Sequence, residues 1–397
     1  MSTPPATGPL RIAVVAACPF PLARGTPVRI LRMAEALGEA GHDVHVITYH
    51  LGSDQIPVSV PVHRIRNLKF YKKLSPGPSY KKLMFVDPFL VAKTRSVLRE
   101  RAFDVIHAHH YEGVMVAAAA RLGSSVPVVY DAHTLLMSEL PYYPLGLPYG
   151  VKKSMGRWMD GIIPRLATHT VCVTQTIRDK LVSEVGFNAS RISVLMNGVE
   201  FDHFAAPTRN GAVPTDGRTL MFTGNLAEYQ GIDLMLRAFK LALERVPDAR
   251  LVIASDSSLE PYEALAKELG VRARTEVIPS PPFKDLPALL LQGTVAVNPR
   301  TDGDGVPVKL LNYMAAARPV VSFAASAPGV VHGETGWLAP GADVAKLADG
   351  MVELLKNPEL AQRLGLAAQR YVEENCQWPI VARRCEALYR RLMKEAA

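Results

Sequence analysis

VNPRTDGDGVPVKLLNYMAAARPVV, residues 297–321, reads as the end of a strand, a glycine-rich turn, a short helix and a second strand. Val295 to Val297 close an apolar run, and Asp302-Gly303-Asp304-Gly305 supply a turn in which positive φ costs little. Pro307 suits the first helical position, where an N–H is not needed. Leu310, Leu311, Met314 and Ala315 recur at helical spacing, and Arg318-Pro319 ends the helix before Val320-Val321. The outcome is a helix N-terminus aimed out of a sheet edge, with free N–H groups and a carboxylate beside it. That combination suits an anionic ligand that also carries hydroxyls, as a sugar nucleotide does. It equally describes an ordinary strand–helix turn of an α/β scaffold, so the rest of the chain must choose between the two.

Outward from this stretch, strands and helices alternate. RIAVVAA (11–17) is a continuous apolar run, as expected of a strand buried on both faces. Thr26 is placed to cap the next helix, with Pro27 its first residue and Ile30, Leu31, Ala34 and Leu37 its apolar face. Gly41 ends that helix before the strand HDVHVIT. Further strands are predicted at Val60–Ile65, DVIHAHH, VPVVYDAH, THTVCVTQT and RISVLMNGV. The alternation restarts at TLMFTG after a polar stretch with Pro, Gly and no periodicity. The pattern predicts two Rossmann-like domains with doubly wound parallel sheets facing a cleft. The boundaries are 1–200 and 218–378, with 201–217 as linker and the last helix, about 379–397, returning to the first domain.

A chain of 397 residues exceeds one comfortable core, and 48% hydrophobic with 21% charged residues is the balance of a folded globular protein. Aromatics are modest at 7%, and no nucleic-acid module accompanies the basic charge, so a nucleic-acid partner is not expected. The four cysteines are widely spaced with no CxxC, which reads as a reduced, cytoplasmic protein. No signal peptide and no apolar run long enough to span a bilayer is visible. The net charge of +8 is concentrated: residues 62–101 hold eleven Lys or Arg, among them Lys72, Lys73, Lys81 and Lys82, against two acids. With Phe70, Tyr71, Tyr80, Phe85 and Phe89 interleaved, this patch reads as an anionic-membrane contact. The segment 140–163 adds Tyr, Leu and Trp beside further cations. A merely solvated basic face is the plainer alternative.

Taken in order, PFPLARGTPVRILRMAEALGEAGHDVHVIT (19–48), DVIHAHH (104–110), PVVYDAH (127–133), LMNGVEFDHF (195–204), FTGNLAEYQGIDLMLRAF (222–239), KLLNYMAAARPVV (309–321) and ETGWLAP (334–340) resemble the retaining glycosyltransferases of family 4, which have the GT-B fold. The resemblance covers almost the whole chain. It implies a nucleotide-sugar donor, a UDP-sugar by the family's majority usage, held by the C-terminal domain, and an acceptor held by the N-terminal one. It also implies retention at the anomeric carbon without a metal and without a cofactor, the nucleotide-sugar being a co-substrate. The family's Glu-x7-Glu pair falls on Asp304 and Asn312, in sugar-hydroxyl and ribose roles. His133 matches the histidine near the reacting centre, and Gly25 with Thr26 matches the glycine loop, whose usual second glycine is here Arg24. Gly224, Gly305 and Val306 complete the implied donor subsite.

Two departures matter. The family's usual diphosphate-binding Arg and Lys fall on Asn225 and Gln230, so Arg300 and Lys309 are expected to take over the charge stabilisation. His107, His109 and His110 have a metal-like spacing, but the i, i+2 pair shares one face of a strand while the third points away. They are read as a strand end lining the cleft, with His109 on the acceptor side and no metal. The expected activity is hexosyl transfer to a hydroxyl of a membrane lipid or lipid-linked glycan, by a peripheral protein at the cytoplasmic face. A soluble small-molecule or saccharide acceptor is the alternative, and a degenerate, non-catalytic sugar-nucleotide-binding protein is a third reading.

Overall fold

The computed structural model describes residues 8–22, 25–74, 80–208, 216–301 and 304–396. The chain forms two compact units, residues 1–198 with 378–397, and residues 199–377. In the first, strands β1 (Arg11–Ala16), β2 (Asp43–Thr48), β3 (Val62–Arg64), β4 (Val105–His109), β5 (Val128–Ala132), β6 (His169–Cys172) and β7 (Ile192–Val194) form a parallel sheet of order β3-β2-β1-β4-β5-β6-β7. Its helices are α1 (Gly25–Glu39), α2 (Tyr80–Phe85), α3 (Asp87–Glu100), α4 (His110–Ala120), α5 (Leu136–Glu139), α6 (Tyr149–Ile162) and α7 (Gln175–Ser183).

The second unit opens with α8 (Phe201–Ala205). Strands β8 (Thr219–Thr223), β9 (Arg250–Ala254), β10 (Thr275–Ile278), β11 (Val295–Asn298), β12 (Val320–Phe323) and β13 (Gly336–Ala339) then form a parallel sheet of order β10-β9-β8-β11-β12-β13. Its remaining helices are α9 (Ile232–Leu243), α10 (Glu260–Glu268), α11 (Leu286–Gln292), α12 (Val308–Ala315), α13 (Val344–Lys356) and α14 (Pro358–Asn375), while α15 (Trp378–Ala396) belongs to the first unit.

The inner strands are apolar on both faces because helices cover both, as a parallel sheet requires. Ile12, Val14, Val105, Val129 and Val171 join Ile30, Leu37 and the α15 residues Val381, Cys385 and Tyr389 in one core; Phe222, Leu251, Val297, Phe239 and Met351 anchor the other. In each sheet the strand order reverses at one place, between β1 and β4 and between β8 and β11. Ligands of open parallel sheets bind beyond the strand ends at such reversals. Both groups of expected site residues follow these strands.

Several elements differ from the sequence expectation. The stretch 201–217 contains α8, whose Phe204 is fully buried, because Phe201 and Phe204 are a helical turn apart and supply an apolar face to the second unit; residues 209–215 lie outside the described residues. Helix α6 was not expected, since Gly150, Gly156 and Gly161 argue against a helix. Gly156 is needed there: a Cβ would stand 2.5 Å from the Leu136 carbonyl carbon and oxygen. Thr26, expected as a cap, lies inside the first turn of α1 and turns its hydroxyl to two histidines.

One polar cluster ties the first unit together. Arg29 of α1, 2% exposed, places Nε 2.9 Å and Nη2 3.3 Å from the two oxygens of fully buried Asp131 on β5. Its remaining hydrogens go to Asn197 Oδ1 (2.9 Å), Met196 O and Leu195 O (both 3.1 Å), beyond β7. The following Gly198 lies so close to Trp378 that a Cβ would meet the indole at 2.3 Å. Burial raises the Asp131 pKa, but the Arg29 charge, His133 and the His107 hydrogen bond outweigh it and hold the carboxyl well below the usual carboxylate range.

Two outcomes follow. A carboxyl with a depressed folded-state pKa contributes stability above its unfolded value, near pH 4, which is lost as pH falls through the folded value. Arg29→Met should therefore cost about 3–5 kcal/mol at pH 7 by leaving a buried carboxylate unpaired, and less in acid, as read by denaturant unfolding at several pH values. Gly198→Ala should cost about 1–3 kcal/mol by overpacking against Trp378, with Trp378→Leu in the same chain recovering part of it.

Candidate functional site

In the second unit the site is built where β8 and β11 end. Gly231, at φ 72°, packs so tightly on Pro299 that a Cβ would come within 2.2 Å of its carbonyl oxygen, which brings the loop after β8 against the loop after β11. Tyr313 of α12 then receives the Thr223 N–H at 2.7 Å, fixing the helix to the end of β8. This geometry carries Lys309, on the first turn of α12, beneath Gly224. Its Nζ donates to Gln230 Oε1 at 2.8 Å and lies 3.8 Å from the centroid of the Phe222 ring. Among the described residues, a neutral amide and a ring face hold this half-buried ammonium without a carboxylate. Burial, then the charge of Arg300, push the Lys309 pKa well down.

Arg300 lies 5.3 Å from the centroid of the Tyr229 ring, and Tyr229 Oη accepts from Asn225 Nδ2 at 3.2 Å. Asn225 and Gln230 thus interact, directly or through Tyr229, with the side chains expected to replace the missing cations. Asp304 is 3% and Asn312 9% exposed, and Val306 is buried, so Asn312 is not the surface helix residue that its position also allowed. Gly305 is half-buried beside them. Asp302 and Gly303 lie outside the described residues, and the helix begins at Val308 with Pro307 before it.

In the first unit the site follows β4 and β5. His107 and His109 share one face of β4 and stack at 4.7 Å; the next residue, His110, has φ 62°, a left-handed backbone conformation uncommon outside glycine. That turn lays the His110 ring on His133, with centroids 4.7 Å apart. Thr26 Oγ1 lies 2.8 Å from His110 Nε2 and 3.4 Å from His133 Nδ1, while His133 Nε2 lies 3.0 Å from His109 Nδ1. Behind them Asp131 reaches His107 Nε2 at 3.2 Å, and His107 Nδ1 pairs with the Tyr389 hydroxyl of α15. Burial first, then neighbouring positive charge, hold His133 and His109 well below the ordinary imidazole value, against the pull of Asp131, and His110 falls to about 4. The His109, His110 and His133 rings are therefore neutral at pH 7.

The structure brings Thr26, His109, His110 and His133 together. Arg29, Asp131 and Tyr389 were missed, since nothing in the local sequence joins positions so far apart. His107, His109 and Asp131 each bring one atom within 4.8 Å of the others, a set that local spacing hides because Asp131 is on the next strand. Arg29 already binds both Asp131 oxygens, and a fixed guanidinium there suits a hydrogen-bonded ion pair better than a metal ion. Gly25 is exposed at the start of α1; Arg24 lies outside the described residues.

The basic stretch 62–101 is corrected in part. Lys82 is not a surface cation: it is buried and paired with Glu112 of α4. Arg64 caps the carbonyls of Phe20, Tyr49 and Leu51, and Tyr71 is buried. Lys72 is exposed and Lys73 half-buried, while the Lys81 side chain lies outside the described residues. His109 is also buried, and within this unit it hydrogen-bonds His133 rather than presenting an open face. No helix of the described residues is long and apolar enough to cross a membrane.

Comparison with known proteins now bears on this geometry. Residues 23–203 match the family described as Glycosyltransferase Family 4, and residues 217–357 match Glycosyl transferases group 1. A D-inositol 3-phosphate glycosyltransferase of Kribbella flavida is 27% identical over 430 residues, covering 98% of both chains. A phosphatidyl-myo-inositol mannosyltransferase of Mycobacterium leprae is 26% identical over 386 residues, covering 96% of both. Among solved structures, a sucrose-phosphate synthase from Thermosynechococcus elongatus superposes with a TM-score of 0.77 at 19% identity, over 97% of this chain and 100% of the other. Anabaena HepE in complex with UDP gives 0.74 at 16% identity, over 96% and 99%. At these identities the solved structures speak for the fold alone. With two consecutive family matches, and relatives aligned from end to end, the chain belongs to glycosyltransferase family 4 and is a glycosyl-transferring enzyme of the GT-B fold.

Proposed function

We propose that the protein transfers a hexosyl group from a nucleotide-sugar, a UDP-sugar, to a hydroxyl of a membrane lipid or lipid-linked glycan, with retention at the anomeric carbon and without a metal. The observation that carries this reading is Lys309, a half-buried ammonium at the first turn of α12 whose partners among the described residues are a neutral amide and a ring. An anion is the missing partner, and a diphosphate supplies it beside the helix N-terminus. In this reading Lys309 and Arg300 stabilise the leaving diphosphate, the part taken elsewhere in the family by cations at positions 225 and 230. Gly224, Gly305 and Val306 line the donor, Asp304 accepts from sugar hydroxyls, and Asn312 bonds the ribose diol.

His133, neutral and held by Thr26 and His109, orients the sugar hydroxyls near the reacting carbon. No covalent nucleophile is assigned, so the departing diphosphate oxygen takes the acceptor proton on the same face. The donor class is supported by the neighbour HepE, recorded with UDP and with UDP-glucose. The lipid acceptor is supported by the relative named for phosphatidyl-myo-inositol. The relatives named for D-inositol 3-phosphate favour a second reading, the same chemistry on a soluble acceptor. Four free cysteines agree with a reducing, cytoplasmic setting.

Incubation with a panel of nucleotide-sugars, membrane lipid extract and inositol phosphates, read by mass spectrometry, tests the reading: a hexose mass added to a lipid is expected. No added mass with any donor favours a binding protein without catalysis. Lys309→Met should lower kcat/KM by about 10²–10³-fold. The same change removes a half-buried charge that has no carboxylate among the described residues, so thermal stability should hold or rise, which separates lost chemistry from lost folding. Since the Lys309 pKa is depressed in the free protein and a diphosphate would raise it, UDP binding should take up protons at pH values between the two. Calorimetry in buffers of different ionisation enthalpy measures that uptake, and its loss in Lys309→Met assigns it.

A further inference from the structure

The described surface of the first unit carries one helix whose sides serve opposite purposes. The inner side of α6 is spent on packing. Gly156 lies against the backbone of Leu136, and the two Asp160 oxygens receive the N–H groups of Leu136 (3.0 Å) and Met137 (2.8 Å). Asp160 is the only acid between residues 140 and 166, and it is buried. The outer side carries Val151, Met155, Trp158 and Ile162, spaced four, three and four residues apart, which aligns them along one face of a helix. All four are exposed, Trp158 by 68%. Tyr142, Leu145, Leu147 and Tyr149 are exposed just before them, and Leu166 just after.

Cations edge this apolar stripe. Lys153, Arg157 and Arg165 are exposed, and residues 140–166 hold no outward acid; Arg157 also donates to the Glu184 carbonyl. A water-facing helix does not keep a tryptophan and three aliphatic or thioether side chains in one line. A protein partner's core would fit the stripe but leave the cations unmatched. An anionic lipid surface satisfies both: apolar side chains enter the acyl boundary, tryptophan and tyrosine sit at the headgroup level, and the cations meet phosphates. We propose that α6 is an in-plane membrane helix that seats the first unit on an anionic bilayer through Val151, Met155, Trp158 and Ile162. The inference deepens the lipid-acceptor reading and rests on it for its purpose. It adds a contact to the one expected from residues 62–101, where Lys82 and Arg64 are engaged inside the protein while Phe70, Met84 and Phe85 stay exposed.

The test is co-sedimentation of the full chain with vesicles of phosphatidylcholine alone or mixed equally with phosphatidylglycerol. Binding to the anionic vesicles, weakened by salt, is expected. Trp158→Ser with Ile162→Ser should weaken it by about tenfold or more, as should Lys153→Glu with Arg165→Glu. UDP affinity and the unfolding temperature should stay as in the parent. Failure of the parent to bind anionic vesicles, or unchanged binding in both double variants, overturns the proposal. So does loss of self-association in the Trp158→Ser chain by ultracentrifugation without loss of vesicle binding, which assigns the stripe to a second copy. Vesicle binding is read without turnover: a chain that docks through α6 yet glycosylates only soluble acceptors keeps this proposal and loses the lipid-acceptor reading.

Discussion

The first unit depends on a buried cation meeting a buried anion. Arg29 and Asp131 come from a helix and a strand about a hundred residues apart, and each is expensive to bury alone. Together, with Asn197 and two backbone carbonyls, they satisfy the guanidinium and fix α1, β5 and the turn beyond β7 to one another. The histidines inherit their geometry from this clamp. Asp131 holds His107, His107 leans on Tyr389, and His109 hands the constraint to His133. C-terminal helix α15 thereby becomes part of the site's support rather than a trailing element.

The second unit presents the opposite electrostatic arrangement. Lys309 is half-buried and, among the described residues, has no carboxylate beside it, so its ammonium is held by an amide oxygen and a ring. A structural ion pair would be closed to ligands; this cation is incomplete, and its depressed pKa records the cost. The two units thus use charge burial differently. One pairs charges to build a rigid support, and the other leaves a cation without a carboxylate among the described residues, where we propose an anionic ligand. That contrast is why we read the first cluster as positioning and the second as binding.

Parallel α/β order was legible because buried strands are continuous apolar runs and helices repeat at 3.6 residues, both local signals. The run 297–321 was read to within a residue at its helix, since Pro307 and Pro319 bracket it. Helix α6 was not legible: three glycines lower its helical propensity, and only the approach of Leu136 explains why Gly156 is there. Lys82 looked like a surface charge because its partner, Glu112, lies thirty residues away on another helix. His110 gave no hint of its left-handed backbone, which few non-glycine residues adopt even though histidine tolerates it better than most.

By itself, the sequence determined the class of fold, the order of motifs and the family they resemble, because periodicity, turn chemistry and motif order are properties of a linear chain. It also showed that cations are absent at Asn225 and Gln230. Tertiary structure alone decided which charges are paired. It joined Arg29 to Asp131, took Lys82 out of the basic surface, set Lys309 against Gln230 and turned the apolar stripe of α6 outward. Charge pairing and desolvation depend on distances between residues remote in sequence, and those distances exist only once the chain has folded.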